Sequence, residues 1–306
     1  MATIHANGID LCYVRHGNPH DPCVLLVMGL GMQLIAWPDD FVEGLVEQGY
    51  QVICFDNRDV GLSSKISAGG KPSLGLAYLK SKLGLRVRSA YTLDDMADDA
   101  LGLLDALTIA KAHVIGVSMG GMIAQLMAVR APQRVLTLTS IMSSSSRRGL
   151  PGPTREARLA LMRRPKAGAS RDELAAHMAA TIRVLGSPAY PVAEKLQLQR
   201  IAAALDRGSC PDGVVRQMMA IAASGSRVAV LPTIRCPTLV IHGAQDPLIP
   251  LACGLDTAEL IPGAQLAVIE GMGHNMPPQL IERLLALIDA HLHGKMAAQR
   301  QPRQLA

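Results

Sequence analysis

The residues best suited to chemistry in this sequence include a serine in the segment GVSMG at 116–120. This segment fits the G-x-S-x-G pattern of a nucleophile elbow, in which a serine stands on a sharp turn between a strand and a helix. The two flanking glycines let neighbouring backbone pass without a Cβ clash, and the N-terminus of the following helix favours developing negative charge. The pattern therefore predicts Ser118 as a nucleophile.

A serine nucleophile needs a base, and the segment GMGHNMP at 271–277 supplies His274. Glycines before this histidine and prolines after it predict a loop between the last strand and the last helix. Asp246 follows an apolar strand at 238–242, where its carboxylate can accept the Nδ1–H of the base and so determine its tautomer. The segment after the strand ending near residue 142 offers serines and no carboxylate, so we predict Asp246 as the acid.

Acyl transfer also requires two N–H groups that bind the oxyanion. The first is predicted to be the backbone N–H of Met119, directly after the serine. The second is predicted in the loop GLGM at 29–32, which follows another strand, and we choose the N–H of Leu30. We expect four residues to line the substrate pocket: Gly29, Gly31, Trp37 and Met276.

These residues must be positioned by a regular framework of strands and helices. Continuous apolar runs predict strands at 24–28, 51–55, 113–116, 135–142, 238–242 and 265–269. Helical patterns lie between or after them, at 40–48, 93–107, 119–130, 251–261 and 279–291. Apolar strands that alternate with helices are typical of an α/β fold with a doubly wound, mostly parallel sheet covered on both faces.

Two segments interrupt the alternation. Residues 65–91 read as a long loop or a short helical excursion. Residues 143–232 contain no convincing strand but show helical patterns near 154–164, 171–185, 192–206 and 214–223, and Ser170 with Glu173 forms a capping-box signature. We predict a core formed by 1–142 and 233–293, a helical lid inserted at 143–232, and a disordered tail at 294–306.

Composition restricts the remaining possibilities. A chain of 306 residues with 49% hydrophobic residues can bury a large core, and its net charge of +5 is spread over the whole length. The sequence shows no aromatic and basic interleaving for nucleic acid, no metal-ligand spacing and no complete dinucleotide or phosphate loop. No signal peptide or apolar run of membrane-spanning length is evident. We therefore expect a cytoplasmic protein without metal, cofactor, nucleic-acid partner or stable membrane insertion; the oligomeric state stays open.

Taken in order, the motifs resemble the α/β-hydrolase superfamily from the first strands to about residue 291. The matching segments are GLG at 29–31, DNRDVG at 56–61, GVSMG at 116–120, DP at 246–247 and GH at 273–274. Within the superfamily the chain is similar to bacterial esterases grouped with aclacinomycin methylesterase. The segments behind that closer likeness are LVMG at 26–29, WP at 37–38, NRD at 57–59, GMGH at 271–274 and MP at 276–277.

The resemblance implies an α/β-hydrolase fold with a lid, and a carboxylic-ester hydrolase that forms an acyl-enzyme on a small-molecule ester. One position departs from the family pattern, because Met28 stands where many relatives carry a histidine before the oxyanion glycine. Two alternatives stay open. The same residues support hydrolysis of C–C, thioester or lactone bonds, or perhydrolysis, and a non-catalytic ligand-binding relative would share the fold.

Overall fold

The computed structural model describes residues 1–67, 74–163 and 168–294. Its strands are β1 (Ala2–Ala6), β2 (Ile9–His16), β3 (Cys23–Val27), β4 (Gln51–Phe55), β5 (Ala112–Val117), β6 (Val135–Ile141), β7 (Thr238–Gly243) and β8 (Gln265–Ile269). Its α-helices are α1 (Asp39–Glu47), α2 (Leu74–Leu83), α3 (Leu93–Ala106), α4 (Met119–Arg130), α5 (Arg155–Met162), α6 (Arg171–Leu185), α7 (Glu194–Arg207), α8 (Pro211–Ser224), α9 (Leu251–Leu260) and α10 (Ile281–Leu292).

The described strands form one sheet in the order β1-β2-β4-β3-β5-β6-β7-β8. Strands β3 to β8 pair in parallel, whereas β1 and β2 are antiparallel to their neighbours. From β3 the chain moves to one side, to β4, and then returns to the other side, to β5. Ligands of open α/β sheets bind at such a reversal, beyond the carboxyl ends of the strands. The fold class predicted from the sequence is confirmed.

The sheet is covered on both faces, which explains why its central strands are continuously apolar. Along β3, Leu25 and Val27 join the core on the side of α3 and α4, while Val24 and Leu26 join the core on the side of α1 and α10. All five residues of β3 are buried. Successive side chains of a strand point to opposite faces, so a strand buried on both faces has no polar position.

The antiparallel hairpin formed by β1 and β2 has no counterpart among the strands predicted from the sequence. Its strands contain many exposed residues and so lack an apolar run. The turn between them is Asn7 and Gly8, with φ of 50° and 75°. An Asn-Gly pair with both φ values positive is the strongest short-range signal for a hairpin, so a usable signal was present in the sequence.

Four helices, α5 to α8, follow β6 and precede β7, close to the helical patterns expected there. The capping box predicted at the start of α6 is confirmed: the Ser170 side chain accepts from the Glu173 N–H, and the Glu173 carboxylate accepts from the Ser170 N–H. The division into a core and a lid stays a prediction. Of the tail expected at 294–306, everything after residue 294 lies outside the described residues, and the segment expected at 65–91 contains α2.

Among the residues that the structure describes, none of the helices combines the length and the apolar character needed to cross a bilayer.

Candidate active site

Three side chains that are far apart in the sequence meet beyond the carboxyl ends of β5, β7 and β8. The Oγ of Ser118 lies 3.1 Å from Nε2 of His274, and Nδ1 of the same imidazole lies 2.7 Å from Oδ2 of Asp246. Both distances are within hydrogen-bond range. The structure therefore brings together the predicted nucleophile, base and acid in one chain of contacts.

Ser118 occupies a backbone conformation that ordinary residues avoid, with φ of 57° and ψ of −120° between β5 and α4. The flanking glycines explain how the turn fits. A Cβ on Gly116 would lie 2.2 Å from the carbonyl oxygen of Gly120, and one on Gly120 would lie 2.0 Å from the carbonyl oxygen of Val27. Neither contact is sterically possible, so the elbow requires glycine at both positions.

Asp246 is held so that one of its oxygens is left for the histidine. Its Oδ1 accepts hydrogen bonds from the N–H groups of Leu248 and Ile249 at 2.9 and 2.8 Å, and its side chain is fully buried. A second histidine, His242, lies 3.8 Å from Oδ2 and its Nε2 is 2.7 Å from the carbonyl oxygen of Ile249. Burial lowers the pKa of His242 below its ordinary value, although the hydrogen bond to Ile249 and the charge of Asp246 act in the opposite direction.

The loop that carries His274 is tied to the end of α6. The His274 N–H donates to the carbonyl oxygen of Leu185 at 2.8 Å, and the Gly273 N–H donates to Oγ of Ser187 at 2.9 Å. The Ser187 hydroxyl donates in turn to Oδ1 of Asn275. A Cβ on Gly273 would lie 2.3 Å from the carbonyl oxygen of Gly186, so the two segments pack in direct backbone contact. Sequence reasoning missed Ser187, which acts on a loop 86 residues away.

The two N–H groups predicted for the oxyanion are unpaired within the described residues, since neither Leu30 nor Met119 donates to another group there. The loop of Leu30 lies beside the nucleophile, because a Cβ on Gly29 would be 3.3 Å from Cβ of Ser118. The next residue differs: the Gly31 N–H donates to Oε1 of Gln217 at 2.8 Å. Unpaired donors next to the serine are what an oxyanion site needs.

The four residues expected around the substrate lie in different surroundings. Gly29 adjoins Ser118, whereas Gly31 packs against Val214 of α8, 3.0 Å from where its Cβ would be. Trp37 is 3% exposed and stacks on Phe41, with ring centroids 5.5 Å apart. Met276 is half-buried. Contact with a substrate stays a prediction for each of them.

The DNRD segment that follows β4 links the sheet to the inserted helices. Asp56 is fully buried and pairs with Arg207 of α7 at 2.9 Å, and Asp59, also fully buried, pairs with Arg216 of α8 at 2.7 Å. Burial alone would raise the pKa of Asp59, but hydrogen bonds from Arg216 and Tyr91 outweigh it and hold that pKa below its ordinary value. These two ion pairs tie the segment after β4 to α7 and α8, and the sequence motif did not indicate their arginine partners.

Comparison with known proteins places the chain in a family. The sequence model of the family described as alpha/beta hydrolase fold matches residues 22–278. The rhodomycin D methylesterase DauP of Streptomyces sp. (strain C5) is 32% identical over 293 residues, covering 90% of this chain and 92% of the relative. The rhodomycin D methylesterase DnrP of Streptomyces peucetius is 31% identical with the same coverage.

Solved structures agree at the level of the fold. A meta-cleavage product hydrolase from Pseudomonas fluorescens superimposes with a TM-score of 0.76 at 23% identity, covering 97% of this chain and 98% of that one. An enol-lactonase from Burkholderia xenovorans gives a TM-score of 0.70 at 21% identity, covering 95% and 100%. At these identities the likeness extends to the fold alone. The resemblance stated from the sequence motifs is confirmed by the family match and the two methylesterases.

Proposed function

The chain belongs to the α/β-hydrolase fold family and is a hydrolase, and from this we propose that it cleaves carboxylic esters, methyl esters among them, through an acyl-enzyme on Ser118. The methylesterase relatives support the ester class, since they align over 90% of the chain. The single observation that carries the proposal is the contact of His274 with Ser118 at 3.1 Å and with Asp246 at 2.7 Å. His274 can therefore accept the hydroxyl proton of Ser118, and Asp246 orients the imidazole that accepts it.

In the first half of the reaction, Oγ of Ser118 attacks the ester carbonyl carbon while Nε2 of His274 takes the hydroxyl proton. The carbonyl π electrons move to oxygen, and the resulting oxyanion is bound by the N–H groups of Leu30 and Met119. Collapse of this tetrahedral intermediate breaks the bond to the alcohol oxygen, which receives the proton from His274. The buried carboxylate of Asp246 stabilises the imidazolium in between.

In the second half, His274 takes a proton from water as the water oxygen attacks the acyl carbon. The second tetrahedral intermediate releases Oγ of Ser118, which regains its proton, and the carboxylic acid leaves. A preorganised N–H donor for the oxyanion contributes roughly 3 kcal/mol of transition-state stabilisation. No step requires a group from outside the chain other than the ester and water.

The test is hydrolysis of p-nitrophenyl esters from acetate to palmitate and of aromatic methyl esters, with wild type and Ser118→Ala side by side. We expect turnover by the wild type and a loss of at least about 10³-fold in the variant, because nothing else in the proposed mechanism forms the acyl bond. Ester turnover that survives unchanged in Ser118→Ala would overturn the proposal.

A panel of substrates with C–C, thioester and lactone bonds resolves the alternatives if no ester reacts. Relatives at 26–28% identity include a putative carbamate hydrolase, a 3-oxoadipate enol-lactonase and a 2-hydroxy-6-oxononadienedioate/2-hydroxy-6-oxononatrienedioate hydrolase. Labelling of Ser118 by a fluorophosphonate without ester turnover would retain the nucleophile and replace the substrate class. Ligand binding without labelling or turnover would replace the enzyme by a binding protein.

A further inference from the structure

We propose that Gln217, a buried residue of α8, is a positioning residue that holds the oxyanion loop in its working shape, an inference that rests on the proposed function. Gln217 is 0% exposed and lies 186 residues away from the loop that it contacts. Its two side-chain hydrogen bonds go to residues other than Ser118, and it belongs to the helices inserted between β6 and β7. Its side chain nevertheless accepts a hydrogen bond from the backbone N–H of Gly31, the residue after Leu30.

Both ends of the Gln217 amide are used. Its Oε1 accepts the Gly31 N–H at 2.8 Å, and its Nε2 donates to the carbonyl oxygen of Arg58 at 2.8 Å. An amide has an acceptor end and a donor end, so these two partners allow a single orientation of the side chain. The residue therefore links the loop after β3 to the loop after β4 through its two side-chain hydrogen bonds.

The residue of the loop that Gln217 contacts is a glycine in a conformation that other residues rarely adopt. Gly31 has a φ of 67°, in the left-handed region, and a Cβ there would lie 3.0 Å from Cγ2 of Val214. Glycine gains the most conformational freedom when a constraint is removed. Without the acceptor on Gln217, the loop would keep the hydrogen bond from the Met32 N–H to the carbonyl oxygen of Gly29 at 3.2 Å. The peptide between Leu30 and Gly31 would lose the side-chain hydrogen bond that orients it, and its part-buried N–H would be left unpaired, which costs up to about 1–3 kcal/mol.

The helix that carries Gln217 is itself anchored. Neighbouring Arg216 pairs with the fully buried Asp59, and a Cβ on Gly213 would lie 2.4 Å from the carbonyl oxygen of Asp59. Helix α8 is therefore anchored by contacts outside the oxyanion loop, and it holds the Gln217 amide in place. The inserted helices thereby determine where the Leu30 N–H points, which is a direct link between the insertion and the chemistry.

The expected kinetic effect of losing Gln217 follows from when the N–H donor of Leu30 acts in the reaction. The oxyanion exists in the transition state and not in the bound ester, so a misplaced donor lowers kcat and leaves KM nearly unchanged. Losing a donor outright costs about 10²–10³-fold in kcat, and a displaced one part of that. For Gln217→Leu we expect kcat to fall about 10–100-fold while KM stays within about 2-fold.

The experiment measures kcat and KM on the best ester. It also measures the inhibition constant of an alkyl trifluoromethyl ketone, whose carbonyl carbon is attacked by the serine to give a tetrahedral adduct with an oxyanion. We expect the inhibition constant of Gln217→Leu to rise by the same factor by which kcat/KM falls. The matched control is Met219→Ala, which weakens the same helix on its contact with Ala77 and Val87. The control should lose a comparable amount of stability and keep kcat and inhibition within about 2-fold of wild type.

Either of two results would overturn the inference: a kcat of Gln217→Leu within about 2-fold of wild type, or an equal loss of kcat and inhibitor affinity in Met219→Ala. If Gln217→Leu does not fold, Gln217→Met, with its unbranched side chain, takes its place in the same assays. Ser118→Ala is measured alongside. Ester turnover that persists there refutes the proposed function, whereas an inactive Ser118→Ala with a fully active Gln217→Leu refutes this inference alone.

Discussion

At the scale of single residues, the orientation of the base follows from which oxygen of Asp246 is free. The N–H groups of Leu248 and Ile249 occupy Oδ1, so Oδ2 faces Nδ1 of His274 at 2.7 Å. An ionised carboxylate only accepts hydrogen bonds, so Nδ1 must carry the proton and Nε2 must be the acceptor. The ring is thereby prepared to take a proton from Ser118.

Asp246→Asn should reverse this arrangement without disturbing the backbone. The asparagine oxygen can still accept from Leu248 and Ile249, which leaves its NH₂ group facing Nδ1 of His274. The imidazole must then carry its proton on Nε2, where it cannot accept one from Ser118. We expect kcat to fall about 10³–10⁴-fold.

The measurement is steady-state ester hydrolysis with thermal unfolding as the control for folding. A melting temperature near that of wild type combined with the loss of kcat would match the tautomer argument. A kcat within tenfold of wild type would contradict the role assigned to Asp246.

At the scale of elements, a buried arginine joins the segment after β6 to helix α4. Arg227 is 2% exposed, and its guanidinium donates to Oε1 of Gln125, to the carbonyl oxygen of Ser144 and to Oγ of Ser146. Burial lowers the pKa of this guanidinium to about 10. The adjacent Ser143 hydroxyl donates to the carbonyl oxygen of Ser118. The segment that follows β6 is therefore joined by hydrogen bonds to Ser118 and, through Arg227, to helix α4.

Arg227→Met should destabilise the fold strongly, because it leaves the buried acceptors of Gln125 and Ser144 without donors. Each unsatisfied buried group costs about 1–3 kcal/mol, so we expect the free energy of unfolding to drop by about 3 kcal/mol. Urea unfolding measures the drop.

Arg235→Met is the matched control, since Arg235 is exposed and its loss should change stability by less than about 0.5 kcal/mol. Equal midpoints for Arg227→Met and Arg235→Met would show that the buried guanidinium does not stabilise the fold.

At the scale of the whole molecule, three buried histidines make stability depend on pH. Burial lowers the pKa of His113, His242 and His291, in the last case from 6.5 to about 4. His291, on α10, contacts the carbonyl oxygen of Leu138 on β6 through Nε2 at 3.2 Å. Between these pH values the unfolded chain binds more protons than the folded one, so stability falls as the pH falls.

We expect the free energy of unfolding to decrease as the pH is lowered from about 6.5 towards 4, with up to about 3 kcal/mol of the change due to His291. His291→Gln, whose amide can still donate to the same carbonyl, should flatten this dependence. Urea unfolding at half-unit pH steps measures both curves. Parallel curves for wild type and His291→Gln would mean that His291 does not titrate in this window.

The sequence by itself determined the family, the parallel strands of the sheet and the three residues that meet in the site. These features are recorded in short segments of the sequence: a serine flanked by glycines at positions where a Cβ would clash, and polar residues in the loops that follow apolar strands. Parallel strands place their carboxyl ends at one edge, so residues that follow them converge whatever the spacing along the chain. The cytoplasmic location and the oligomeric state, by contrast, are not recorded in any such motif, and the former stays a prediction.

Only the tertiary structure decided what holds the site in place. Gln217 contacts a residue 186 positions away and Ser187 a residue 86 positions away, and neither has a spacing or composition that marks it. A buried amide or hydroxyl is needed where packing would otherwise leave a backbone N–H or carbonyl group without a partner. Which backbone group that is depends on how the helices pack. Motifs therefore predict the reacting groups, whereas packing determines the residues that position them.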